Sequence, residues 1–213
     1  MKDHIAVTVG VPSHSKWDAG FGMSLAGLVA GVHMANNLPG SNVKVDVGIC
    51  NTQGSNICKN RSEIIKVALD RNDDYILFLD SDMVFPMHTL HRLLSHGKDI
   101  VGANYVKRKD GEYDSNSQDL AKKMIVTKAD STGLLKADFV GTGIMLIKAD
   151  VFNRVEKPWF GLQYIEAKDD YGSDDVFFCR KARETGYSIW VDQDLSKEIG
   201  HIGEKVYKHY YEV

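Results

Sequence analysis

Tyr75-Ile76-Leu77-Phe78-Leu79 is an apolar, partly aromatic run that stops on two carboxylates, Asp80 and Asp82, with Ser81 between them. The run reads as a buried strand, and in an extended backbone alternate side chains point the same way. Asp80 and Asp82 are therefore expected to share a face, with Ser81 turned from it. Two carboxylates that close repel one another, and a cation beside them relieves the repulsion. Hard oxygen ligands suit Mg²⁺ or Mn²⁺, ions that share their coordination with substrate phosphates. An ordinary turn or helix cap would also use Asp and Ser. Two further groups have chemical potential: the pair Asp174-Asp175, and His201 within Gly200-His201-Ile202-Gly203. Acidic residues also open helices simply to complement the helix dipole, and a histidine between glycines is an ordinary loop residue.

Positioning such groups takes strands and helices, and the apolar runs supply them in alternation. Ile5 to Val11 reads as a first strand, broken by Pro12-Ser13-His14-Ser15. Phe21 to Asn36 has helical spacing and stops at Pro39-Gly40. Val43 to Ile49 is a second strand followed by a polar loop, Asn51 to Asn56, and Ile57 to Leu69 is a helix with Ile57, Arg61, Ile64, Ile65 and Ala68 at helical intervals. The Tyr75 to Leu79 strand comes third. Pro86 opens a helix through Leu90, Leu93 and Leu94, and Ile100 to Ala103 is a fourth strand. This order predicts an α/β fold, a mostly parallel sheet with helices on both faces. Ligands in such sheets collect beyond the carboxyl ends of the strands, where Asp80 and Asp82 fall.

Beyond the fourth strand the pattern loosens. Residues 107–136 are polar, with one short apolar run at Met124 to Val126, and read as a short hairpin plus a loop on the acceptor side. Phe139 to Ile147 reads as one strand, whose Gly141 and Gly143 permit close approach of a ligand or mark a bulge. Ser173 stands at the N-cap position of a helix running toward Gly186, and Tyr187 to Val191 is a last strand.

At 213 residues the chain suits one well-buried domain, with 43% hydrophobic and 26% charged residues. A net charge of −3 without a long basic stretch argues against nucleic-acid binding. Cys50, Cys58 and Cys179 are odd in number and unpaired in spacing, as expected of reduced thiols. No signal-peptide pattern and no apolar stretch of spanning length is present, so the expectation is a cytoplasmic protein without a membrane span. The sequence does not specify an oligomeric state.

Taken together, Asp80/Asp82, Asp174/Asp175, His201 and the polar loops after the first two strands resemble the nucleotide-sugar glycosyltransferases of GT-A type. The likeness is to the small family-2-like members of phages and large DNA viruses, including chlorella-virus domains that build capsid-protein glycans. It extends over nearly the whole chain. The resemblance implies one GT-A domain over residues 1–213, with 1–104 as a nucleotide-binding half and 105–213 as an acceptor and catalytic half. The short stretch after His201 suits one module of a longer protein.

The resemblance also implies a UDP-sugar donor, a glycan or glycoprotein acceptor, Mn²⁺ or Mg²⁺, and the host cytoplasm if the source is viral. Val11, Pro12 and Ser13 would hold the nucleoside, and Asn51 and Thr52 the uracil. Arg61 would approach the diphosphate, Asp80, Ser81 and Asp82 would contact metal and donor, and His201 would complete the metal site. The late acidic pair, usually Glu-Asp in the family, is Asp174-Asp175 here. Asp175 would be the catalytic base, with Asp174 orienting sugar hydroxyls. Two other readings compete. Asp80-Ser81-Asp82 also fits the nucleophile motif of haloacid-dehalogenase phosphatases, with Asp80 as nucleophile, although that motif normally lies on a first strand. A non-catalytic glycan-binding domain is the second.

Overall fold

The computed structural model describes residues 3–40, 43–108, 115–166 and 169–209. Its centre is an eight-stranded sheet built from β1 (His4–Ser13), β2 (Lys44–Gln53), β3 (Tyr75–Leu79), β5 (Ile100–Gly102), β6 (Ser117–Asp119), β7 (Leu134–Val140), β8 (Ile144–Lys148) and β11 (Ile189–Asp192). Their spatial order is β2-β1-β3-β8-β5-β11-β7-β6. The pairings make β7 and β8 antiparallel to their neighbours, while the other six strands run one way. This is the mostly parallel α/β architecture, with helices on both faces, expected from the sequence. The two sequence halves share this one sheet, since β8 is inserted between β3 and β5.

The strands read as unbroken apolar runs because both faces are covered. β3 shows it directly. Leu77 and Leu79 enter one core with Phe21, Leu25 and Leu28 of α1 (Ala19–Asn36) and Leu90 and Leu93 of α3 (Thr89–Ser95). Ile76 and Phe78 enter the other, with Ile64 and Ile65 of α2 (Ile57–Asp70) and Phe178 and Ala182 of α5 (Asp174–Glu184). Each such side chain contributes about 1.5–3 kcal/mol by leaving water. Two short helices, α4 (Val151–Arg154) and α6 (Gln193–Ser196), complete the layers.

Two small antiparallel sheets lie outside the main one. β9 (Gln163–Ile165) pairs with β10 (Asp170–Gly172), and β12 (Gly200–Ile202) lies between β4 (Met83–Val84) and β13 (Val206–Tyr207). No helix among the described residues is long and apolar enough to cross a membrane. All three cysteines are free.

Three expectations change. The strand expected over Phe139 to Ile147 is two, because the chain leaves β7 at Val140 and re-enters at Ile144 between different neighbours. Gly141 and Gly143 serve that crossing, packed against Tyr105. A Cβ at Gly143 would stand 2.7 Å from the Tyr105 hydroxyl. β1 and β2 also run longer than expected, in register from His4–Lys44 to Ser13–Gln53, so Pro12, Ser13, Asn51 and Thr52 are strand residues. Finally, the 107–136 segment adds an edge strand, β6, to the short hairpin expected there, in which Gln118 bridges Met124, and the strand is held by the buried side chain of Asn104. Its amide donates to the Ile125 carbonyl (2.8 Å) and Thr127 Oγ1 (3.1 Å), and its carbonyl oxygen accepts from Ser115 Oγ (2.9 Å).

Candidate active site

The carboxyl ends of β1, β2 and β3 open on one edge of the sheet, and the expected site residues gather there in two groups. β3 does not continue through its acidic triplet. Asp80 to Met83 form a tight turn, closed by Met83 N–H donating to the Asp80 carbonyl at 3.2 Å. The turn sends Asp80 and Asp82 to different partners, Arg61 and Arg108, where the extended reading expected them on one face. Ser81 serves the turn through its backbone, its carbonyl accepting from Asp18 N–H at 3.2 Å.

Asp80 belongs to the inner group. Arg61 lies on the buried face of α2, beside Asn60 and one turn before Ile64 and Ile65, and is only 3% exposed. Its guanidinium lies near the rings of Phe78 and Phe160, 5.7 Å from each centroid. Nε donates to Asp174 Oδ2 at 2.9 Å, and Nη2 lies 3.0 Å from Asp80 Oδ1. Burial works against the charge, but Asp80 and Asp174 outweigh it and hold the guanidinium protonated. Asp80 is pushed up by burial, opposed by Arg61 and reinforced by Asp82 and Asp174. Arg61, expected to approach a diphosphate, faces inward here and links one member of each acidic pair, Asp80 and Asp174. Its Nη1 and Asp80 Oδ1 are the buried polar atoms of this group without a hydrogen bond.

Asp82 belongs to the outer group. β12 pairs with β4, matching His201 to Met83, which brings the imidazole to the turn. His201 Nε2 lies 3.7 Å from Asp82 Oδ2. Between them is Arg108, a residue the sequence reading passed over: its Nη2 hydrogen-bonds Asp82 Oδ2, and its Nε donates to His201 Nε2 at 3.0 Å. His201 Nδ1 is 3.0 Å from the Val106 carbonyl. These contacts fix the tautomer, with hydrogen on Nδ1 and a lone pair on Nε2. Burial pushes Asp82 up, but the hydrogen bond and positive charge that His201 offers when its ring is protonated, together with the Arg108 guanidinium, more than reverse it, leaving the carboxylate below its ordinary range. Tyr105 packs edge-on against His201 at 5.3 Å, and its buried hydroxyl accepts from Gly143 N–H at 3.1 Å. The position of Tyr105 shortly after β5 could have singled it out, because ligands collect at strand carboxyl ends.

Asp175 stands one residue beyond Asp174 in the first turn of α5. Ser173 is the N-cap residue, but its hydroxyl bonds the Asp175 carboxylate and not the helix backbone. Asp175 Oδ1 also accepts from Val176 N–H at 2.7 Å. Burial raises this carboxyl to about 6, against the Ser173 and Val176 hydrogen bonds that lower it. A carboxylate so tuned is ionised at neutral pH and basic enough to take a proton.

The residues expected at the nucleoside form a shelf at the ends of β1 and β2. Asn51 Nδ2 donates to the Val11 carbonyl at 2.8 Å and to Ser13 Oγ at 3.0 Å, and Ser13 Oγ to the Thr52 carbonyl at 3.2 Å. Pro12 lies opposite Thr52 in the register. Thr52 Oγ1 in turn donates to the Asn60 carbonyl at 3.2 Å, tying the shelf to α2.

Among the described residues no group of three acidic, histidine or cysteine side chains is arranged to hold a metal ion. Asp82 and His201 are a pair, and the donor set fits a divalent ion that takes its other ligands from phosphate and water. The lone pair on His201 Nε2 has the required tautomer. Arg108 must turn aside for such an ion to enter.

The fold and this edge define a mostly parallel α/β domain with polar and charged side chains gathered at the carboxyl ends of its strands. No protein-family model matches the sequence, and no curated protein matches it. Among solved structures, the fold is similar to A197 from STIV, at 14% identity over 98% of this chain and 96% of that one, with a TM-score of 0.59. TarS 1-349 of S. aureus also aligns, at 14% identity and a TM-score of 0.46, as does its complex with UDP-GlcNAc at 0.45. The match covers 89% of this chain and only 58% of that TarS segment.

Proposed function

We propose that this domain is a glycosyltransferase that moves a sugar from a UDP-sugar to a hydroxyl of a glycan or glycoprotein, with Mn²⁺ or Mg²⁺ held by Asp82 and His201. The observation that carries this reading is the division of labour at one sheet edge. The Asp82 carboxylate and the His201 imidazole, 3.7 Å apart and bridged by Arg108, lie on one side, and Asp175, raised to about 6, on the other. Asp175 accepts the proton of the acceptor hydroxyl as the acceptor oxygen bonds to the anomeric carbon. The bond from that carbon to the phosphate oxygen breaks, and UDP leaves with the electron pair. A base in this role suits inversion at the anomeric carbon. Arg61 fixes Asp174 and Asp80 beneath the reacting sugar, and the Ser13–Asn51 shelf holds the nucleoside. The ion, when bound, would neutralise charge developing on the β-phosphate. A capsid-protein glycan, modified in the host cytoplasm, is the acceptor consistent with the sequence resemblance.

UDP with Mn²⁺ should raise the melting temperature clearly, and UDP in EDTA much less. Equal stabilisation in both would remove the metal from the proposal, and stabilisation by GDP but not UDP would overturn the donor. Removing Arg108 should expose the competition at the pair. Arg108→Ala frees both ligands and deletes a positive charge, so Mn²⁺ without nucleotide should bind roughly tenfold tighter in an electron-paramagnetic-resonance titration. An unchanged affinity would show that Arg108 does not compete.

The phosphatase reading needs Asp80 free to attack phosphorus, whereas Asp80 is engaged by the buried guanidinium of Arg61. No Mg²⁺-dependent hydrolysis of p-nitrophenyl phosphate is expected, and a phosphoaspartate trapped at Asp80 would reverse the assignment.

A further inference from the structure

The β9–β10 hairpin shields almost none of its own residues, yet it carries two large rings. Tyr164 and Tyr171 are directly opposite one another in the register and meet edge to face at 5.4 Å. They remain 46% and 63% exposed. A two-stranded hairpin is marginal alone, and this one is fastened at several points. Tyr164 donates its hydroxyl hydrogen to Asp169, Gln163 accepts from Arg180 of α5, and Ile165 packs on Gly172. Its second strand runs directly into Ser173, whose hydroxyl holds Asp175. Tyr171 is four residues before Asp175, so the chain itself keeps them within about 14 Å.

We infer that Tyr164 and Tyr171 form an acceptor platform for a neutral sugar unit next to Asp175. This rests on the transferase reading and names the acceptor chemistry for that site. The electron-rich face of a phenol attracts the polarised C–H groups of a pyranose, and its hydroxyl can pair with a sugar hydroxyl. Asp169 and Asp170 set negative charge beside the two tyrosines, the first accepting from the Tyr164 hydroxyl and the second from Tyr171 N–H. Among the described residues, Arg180 of α5 is a cation at this hairpin, and it is engaged by Gln163 and lies 3.7 Å from Glu184. The two carboxylates repel phosphorylated or carboxylated sugars and tolerate neutral ones.

Saturation-transfer NMR on the full chain with UDP and Mn²⁺ tests this, using methyl glycosides of glucose, xylose, fucose and rhamnose as probes. Wild type should transfer saturation to the C–H groups of at least one probe. Tyr164→Ala/Tyr171→Ala should cut that transfer roughly tenfold, while Tyr164→Phe/Tyr171→Phe retains most of it. UDP binding, measured by thermal shift, should be the same in all three and confirms that the variants fold. Transfer unaffected by the double alanine variant would overturn the platform, as would no transfer to any probe from a wild type that binds UDP. Equal transfer to methyl glucuronide would overturn the preference for neutral sugars. Failure of UDP to bind wild type would instead overturn the transferase reading on which the platform depends.

Discussion

Asp175→Asn should bind UDP with Mn²⁺ almost as wild type does and yet transfer sugar roughly a hundred- to ten-thousand-fold more slowly. Asparagine keeps the size and can still accept from Ser173 and Val176 N–H, but it cannot take a proton. The wild-type rate should climb with pH and reach half its plateau near pH 6, following ionisation of this carboxyl. Stability should move the opposite way. Because the folded value lies above the ordinary 3.8, the folded chain holds the proton more tightly than the unfolded chain between about pH 4 and 6. Its contribution is fully present below that window and is lost as pH rises through it. Asp175→Asn removes a half-buried negative charge, so at pH 7.5 it should melt higher than wild type, by the order of 1 kcal/mol. Calorimetric UDP titration, initial rates and melting curves read all three effects. Transfer at close to the wild-type rate would take the base role from Asp175.

Arg61→Met should lower unfolding stability by about 3–5 kcal/mol, a large share of what a domain of this size has. The side chain fills similar space but leaves Asp80 and Asp174 facing each other without their shared cation. Arg61→Lys should fall between, because an ammonium cannot reach both carboxylates with the fixed fork of a guanidinium. Combining Arg61→Met with Asp80→Asn and Asp174→Asn should recover much of the loss, since the destabilisation comes from unpaired charge. Urea unfolding measures each step. A single Met variant as stable as wild type would show that the buried ion pairs do not hold the two acidic segments together.

Much of the fold could be read from the sequence because these strands are covered on both sides and announce themselves as apolar runs. Tyr75–Leu79 matches its expected limits for that reason. The same uniformity hid the break at Gly141 to Gly143, because a run buried throughout carries no periodic sign of a change of neighbour. The expected limits of β1 and β2 fall short because polar Ser13, Asn51 and Thr52 look like loop residues, whereas the parallel register carries β1 two and β2 four positions further. Arg61 gave a readable clue: it shares helical spacing with Ile57, Ile64, Ile65 and Ala68, the face that packs inward. The split of Asp80 from Asp82 was not legible, since alternation holds only while the backbone stays extended and here it turns. Arg108 lies in a polar stretch that no local pattern connects to Asp82.

β12 joins His201 to the turn after β3 through backbone pairing, with Ile202 N–H donating to the Asp82 carbonyl at 2.7 Å. Gly200 makes the fit possible, because a Cβ there would meet Val84 and Val206 at 2.6 and 2.5 Å. In kinetic terms this is a contact of very long sequence separation, and closing it costs loop entropy that no local helix or hairpin repays early. The sheet core can condense around β1 and β3 while Asp82 still lacks its imidazole. The Asp82–His201 contact is therefore expected to form late in folding, and no fragment that stops before Gly200 contains it.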